Sequence, residues 1–411
     1  MVSNSLYPIR WFRIALINLV LATSLGALLR FAFVEELTWI KFLNVLHGHS
    51  HVAMLGWIYL ALFTLLTTFF QPDTTRLRAY NRLFGLTQIS VLGMFVSFPL
   101  QGYGPVSIAF STAHLLLSYA WAWRFWTDTR QQPPSWSLRF AWAAVGFMVL
   151  STLGAWSLGP ILLSGLHTTL FFHLAVQFFL HFQFNGWFLF AALALVIRLL
   201  EQQGLLLPDR QYRLFFGLLS GSCVLTYALA VAWSTPLPVV FAINGLGVTL
   251  QLAALLAFLR LLWPVRAPIM ALFSGWSRWL LVIAFYSFTG KIVIQTAVVL
   301  PFIARVAYTI RNYVIGFIHL ILLGAVSSLL FALALNKGIL QSTRLATRLG
   351  FACFVTGLLG SELLLFFQGT LLWGSYGFLP LYYEGLFGVS VLIPLGALLV
   401  AWGGQIRWGG E

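Results

Sequence analysis

Apolar runs long enough to cross a lipid bilayer recur from one end of this chain to the other, and that leaves few folds open. A spanning helix needs about 20 mostly apolar residues, because every backbone polar group must be satisfied within the segment. Such runs fall at about 12–33, 43–70, 83–101, 105–126, 138–158, 168–198, 213–233, 237–263, 278–300, 311–336, 346–370 and 382–403. No connection between them is long enough for a soluble domain. The expected fold is an all-α integral membrane protein of about twelve transmembrane helices, one polytopic domain over residues 1–411. Composition agrees: 60% of residues are hydrophobic and 8% charged, whereas soluble domains carry about 25% charged residues.

Arg10 and Arg13 precede the first run as they would in a signal peptide. That run is longer than a signal core and ends in Leu28-Leu29-Arg30-Phe31 instead of a small-residue cleavage site, so it reads as a retained helix. The net charge of +14 would suit a nucleic-acid partner, but its distribution does not. With twelve spans, Arg30, Lys41, Arg305 and Arg311 fall on one side and Lys291 inside a span. Every other basic residue, from Arg10 to Arg407, falls on the opposite side. This is the positive-inside pattern, and it predicts a protein of the cell inner membrane with both termini cytoplasmic and no nucleic-acid partner. Cys223 and Cys353 sit singly in different spans and read as packing residues; no CxxC or CxxCH pattern indicates covalent haem attachment. The tryptophans and phenylalanines need no cofactor to explain them, and no nucleotide-binding, zinc-protease or serine-triad pattern is present.

Ionisable side chains in a bilayer are expensive and mark functional sites by default. All eight histidines (His47, His49, His51, His114, His167, His173, His181 and His319) fall in the second, fourth, sixth and tenth spans, near one edge of the membrane. His51 and His319 each come roughly 12 Å below the outer boundary, at about 1.5 Å per residue. His47 and His51 share a helix face while His49 points away. In the sixth span His173, Gln177, His181 and Asn185 form a polar stripe, which fits a cofactor edge, a proton path or a helix contact. His319 lies between Gly316 and Gly324, whose small size lets a helix or a flat porphyrin approach closely. Arg305 and Arg311 precede it and read either as partners of haem propionates or as interfacial anchors. Lys291 and Glu362 reach similar depths. For Lys291 the readings are a proton route, a propionate contact, a substrate anion contact, or a buried ion pair with Glu362. Glu384 reads as interfacial.

These features resemble subunit I of the haem-copper oxidases and nitric oxide reductases. Twelve spans with inside termini, a histidine early in helix two, one in helix six and Gly-x-x-His in helix ten carry the likeness, which covers the layout of the chain but only short stretches of sequence. The C-type oxidases are nearest. His173-Leu-Ala-Val-Gln-Phe-Phe-Leu is similar to their helix-six copper-ligand segment, and Tyr313-Val-Ile-Gly-Phe-Ile-His319 to their helix-ten segment. The resemblance implies one low-spin b-type haem with His51 (or His47) and His319 as axial ligands. Bis-imidazole ligation fills both axial sites, which suits electron transfer and not gas binding.

The chain also departs from that family. The position of the high-spin haem ligand is Phe317, the adjacent histidine pair of helix seven is absent, and only His173 would remain of three copper ligands. Copper is therefore not expected, nor is an oxygen-reducing binuclear centre of the familiar kind. The resulting expectation is a degenerate member that moves electrons or senses redox state beside respiratory enzymes, with a cytochrome or quinol donor and small membrane subunits as partners. Two alternatives stay open. One is a variant oxidase or NO reductase using a rearranged metal site from His173, His181 and His114, with His167 a further candidate. The other is a cofactor-free transporter or assembly factor on the same fold.

Overall fold

A computed structural model describes residues 6–71, 76–166, 169–205 and 208–404; His167 and Arg407 lie outside the described residues. Twelve long helices follow one another: α1 (Leu6–Phe31), α2 (Phe42–Phe70), α3 (Leu77–Gln101), α4 (Pro105–Thr129), α5 (Trp136–Leu163), α6 (Leu170–Gln202), α7 (Asp209–Ala232), α8 (Pro238–Ala271), α9 (Gly275–Ala297), α10 (Arg311–Asn336), α11 (Leu345–Trp373) and α12 (Tyr382–Gly403). A short helix, Pro301–Thr309, precedes α10. Among the described residues there is no strand. Eleven of the twelve are long and apolar enough to cross a bilayer. The twelfth, α4, has the length (25 residues) but carries Ser107, Ser111, His114, Arg124 and Asp128. The chain is an all-α integral membrane bundle.

Local chemistry sets the ends of the helices. Pro105 and Pro238 open α4 and α8, where the missing N–H has no intrahelical partner to lose. The Ser135 hydroxyl accepts the Leu138 N–H at the start of α5. Gly102 turns the chain out of α3 at φ +61°, and a Cβ there would come within 2.6 Å of Asn44 Oδ1. Both the backbone angle and the space therefore require glycine.

Contacts cluster into two compact units. The first holds α1–α4, the start of α9 to Leu281, α10 from Ser327, and α11–α12; the second holds α5–α8, α9 from Val282, and α10 up to Val326. In the first unit, α11 and α12 pack along a glycine seam. A Cβ on Gly350 would meet the Gly396 carbonyl oxygen at 2.8 Å, and one on Gly357 the Val389 carbonyl oxygen at 2.8 Å. Close backbone approach of this kind drives helix association in lipid, where hydrophobic expulsion cannot. In the second unit, Gly154 of α5 lies against the Ala175 carbonyl of α6, and Gly247 of α8 against the Thr226 N–H of α7. Ionic groups collect at helix ends: Asp128 with Arg76, Arg124 and Tyr80 in the first unit, and Glu201 with Ser137 in the second.

Three helices stand apart. In α2, α6 and α10 the bonding opens into a π turn, at Val52–Ile58, Phe182–Phe188 and Leu320–Ser327. These three are also the most buried, with 89%, 78% and 72% of their apolar stretch inside the protein against 50% or less for the other spans.

Candidate functional site

Each π turn begins at the residue after a histidine: His51, His181 and His319. Each also contains a glycine five residues beyond that histidine: Gly56, Gly186 and Gly324. All three glycines are in close contact. A Cβ would meet Val91 Cγ1 at 2.8 Å from Gly56, Phe147 Cβ at 2.5 Å from Gly186, and Ser287 Oγ at 2.6 Å from Gly324. No other histidine in the chain has glycine at that spacing. The pattern His-x-x-x-x-Gly was thus present in the sequence, but periodicity reasoning that treats every span as a regular α-helix overlooks it. Read with this register, the helix-six counterpart of His51 and His319 is His181, not His173.

Around His51 the geometry is specific. Its Nδ1 lies 2.9 Å from the His47 carbonyl one turn back. A carbonyl only accepts, so Nδ1 carries the proton and Nε2 keeps its lone pair. This is how metal-binding imidazoles are commonly oriented, with the far nitrogen available as ligand. The ring stacks on Phe98 at 4.1 Å and meets the edge of Tyr103 at 5.9 Å. His47 is half-buried with its ring against Tyr103 at 4.6 Å, and its backbone is what orients His51. His49 points to α1, bonding the Ala22 carbonyl at 2.8 Å and packing over Gly26.

The π turn after His51 is held from outside the helix. The Tyr59 N–H, ordinarily the partner of the Leu55 carbonyl, reaches back to Met54 instead. His114 Nε2 donates to that Leu55 carbonyl at 3.3 Å, with its ring edge on Tyr59 at 4.8 Å. Asn18 Nδ2 donates to the Gly56 carbonyl at 3.1 Å and pairs with Gln88. His114 is 1% exposed, and its role here is to brace a bulge in the backbone.

In α6 the same backbone presents a different imidazole. His181 Nε2 donates to the Cys223 carbonyl at 2.7 Å, and Asn185 Nδ2 lies 3.4 Å from Nδ1. Gln183 donates to Ser151 at 2.9 Å. The polar stripe of this helix splits in two: His181, half-buried, makes the helix contact and Asn185 bonds back to it, whereas His173 and Gln177 are exposed. His319 is half-buried on α10 with Gly316 buried beside it. Arg305 and Arg311 are exposed near the start of that helix.

Among the described residues, no group of three or more His, Cys, Asp or Glu is gathered as a metal ion would need. Lys291 Nζ and both Glu362 carboxylate oxygens are buried without a hydrogen-bond partner. Glu384 is exposed in the first turn of α12, as an interfacial residue would be. Cys223 and Cys353 are free thiols. A scan against models of known protein families finds no match to this chain, and a search of curated proteins finds none either.

Proposed function

We propose that this protein binds one low-spin b-type haem in the membrane and serves electron transfer or redox sensing. The observation that carries the reading is the His51 imidazole, proton fixed on Nδ1 by the His47 carbonyl at 2.9 Å and Nε2 left to ligate. The residues around it suit a porphyrin: flat rings at Phe98 and Tyr103 and a face that is half-buried. The sequence resemblance supplies His319 as the second axial ligand and Arg305 and Arg311 as partners for the propionates. Haem held by two imidazoles supplies a one-electron couple and leaves no axial site for a gas. In this reading the chain binds the group, orients the His51 ring through its own backbone, and keeps water from one side of it with Phe98. The arginine distribution supports an inner-membrane protein with cytoplasmic termini, and the sequence resemblance supports a cytochrome or quinol donor.

The test is an optical spectrum of the purified protein, oxidised and dithionite-reduced. A narrow reduced α band of a six-coordinate b haem is expected, lost in both His51→Ala and His319→Ala. An unchanged spectrum in His51→Ala overturns the ligand assignment. Metal beyond one iron, with a carbon monoxide shift of the reduced protein, would identify a variant oxidase or NO reductase. A colourless preparation from haem-replete cells would leave a cofactor-free transporter or assembly factor.

A further inference from the structure

The π turn of α2 is tied to three other helices of the first unit. Its Leu55 carbonyl accepts from His114 of α4, and its Gly56 carbonyl from Asn18 of α1. The third tie runs through a side chain. The Trp57 indole N–H donates to the Ser327 hydroxyl of α10 at 2.7 Å. Trp57 is 1% exposed and Ser327 is fully buried. Trp57 lies inside the π turn Val52–Ile58, and Ser327 is the last residue of the π turn Leu320–Ser327. One hydrogen bond therefore joins the π turn that follows His51 to the π turn that follows His319.

The indole is also packed by rings from two helices. The Phe12 ring of α1 meets it at 5.7 Å, and the Phe331 ring of α10, one turn beyond Ser327, at 5.3 Å. Phe331 packs in turn on Phe351 and Phe354 of α11 at 5.4 and 5.3 Å. Beyond Ser328, α10 continues as Leu329-Leu330-Phe331-Ala332-Leu333-Ala334, all buried. Apolar side chains of this kind fill space, but they fix poorly how far one helix has slid or turned against another, since lipid and neighbouring helices are equally apolar. A directional bond between buried groups does fix it. An indole N–H only donates, so it needs its acceptor in one place.

We infer that Trp57 and Ser327 are positioning residues for the haem ligands: their hydrogen bond sets the placement of α10 against α2, and through it the spacing of His51 and His319. The inference rests on the proposed haem ligation. Trp57 follows His51 by six residues and Ser327 follows His319 by eight, about 9 and about 12 Å at roughly 1.5 Å per residue. Those lengths nearly match, as two helices that run the same way and ligate one iron require. Ligating groups need to be held within about 0.5 Å of their working geometry. Loss of a residue that orients a ligand commonly weakens metal binding by about 10–100-fold.

The experiment compares the purified full chain in detergent with Trp57→Phe, Ser327→Ala and the double variant. One readout is the low-spin electron paramagnetic resonance spectrum of the oxidised haem, whose largest g value follows the angle between the two axial imidazole planes. The other is the rate of haem transfer to excess apomyoglobin. Each single substitution is expected to move the g value and to speed transfer roughly tenfold. The double variant should change no further than the singles, because the two residues form one bond. Trp11→Phe is the reference: Trp11 is as buried as Trp57, and its indole N–H donates to Asn81 at 2.9 Å, joining α1 to α3. It should lower the unfolding temperature and leave both haem readouts unchanged. Ser327→Ala removes a single oxygen and decides the matter where Trp57→Phe fails to fold. Wild-type haem readouts in Ser327→Ala, or additive effects in the double variant, overturn the inference and leave the ligand assignment standing. A colourless wild type overturns the haem reading itself, and the inference with it.

Discussion

Helices α2 and α6 carry the same local instruction and put it to different uses. Both run into a π turn directly after a histidine, and both bring a glycine against a neighbouring helix five residues later. In α2 the imidazole is tied to its own helix, to the His47 carbonyl, and its Nε2 stays open. In α6 the imidazole crosses to α7, and its Nε2 donates to the Cys223 carbonyl. One backbone device therefore leaves the imidazole Nε2 open in one helix and ties it to a neighbouring helix in the other. A shared motif does not by itself assign a shared role, because the role follows from which carbonyl claims the ring.

The sharpest way to break this comparison is spectroscopic. His51→Ala should abolish the six-coordinate haem signature, whereas His181→Ala should leave its band position unchanged; the reverse outcome would exchange the roles of the two helices. Next in size is steric. Gly186→Val should destabilise the protein by about 1–3 kcal/mol or more through overpacking, since Phe147 Cβ is 2.5 Å from the added carbon. Gly56→Val should be similar, and loss of folded yield and a lower unfolding temperature in detergent would report both. If either glycine tolerates valine, the close contact that pairs the two helices in this comparison is not required. A smaller effect is expected from His114→Phe, which leaves the Leu55 carbonyl without its donor, about 1–3 kcal/mol for an unsatisfied buried group. On the proposed ligand assignment its haem spectrum should keep its six-coordinate form, because His51 and His319 are untouched. The smallest effect is Cys223→Ala. The bond to His181 uses the backbone carbonyl and not the thiol, so the unfolding temperature should move far less than in His181→Ala, whose cost includes the orphaned carbonyl.

Much of the fold was legible before any coordinates. Helix number and limits followed from apolar run length. α2 was expected at about 43–70 and is found at Phe42–Phe70. The same-face relation of His47 and His51 followed from helical spacing, and it is the backbone of one that orients the ring of the other. What escaped was local bonding. The π turns are invisible to hydrophobic periodicity because inserting one residue in a buried helix does not change its composition. His114 was read as one candidate for a variant metal site, and its bond to the Leu55 carbonyl was not foreseen. Its bracing role depends on a carbonyl released by a π turn in another helix.

The sequence by itself settled that this chain lies in a membrane as a row of helices. Lipid offers no partners to a peptide group, so each run of about 20 apolar residues must satisfy its own backbone. Only the tertiary structure decided which carbonyls the His51 and His181 rings meet. The tautomer, and with it the nitrogen left to bind, depends on carbonyls that lie four residues away for His51 and 42 residues away for His181. No pattern within a single helix encodes the second of those distances.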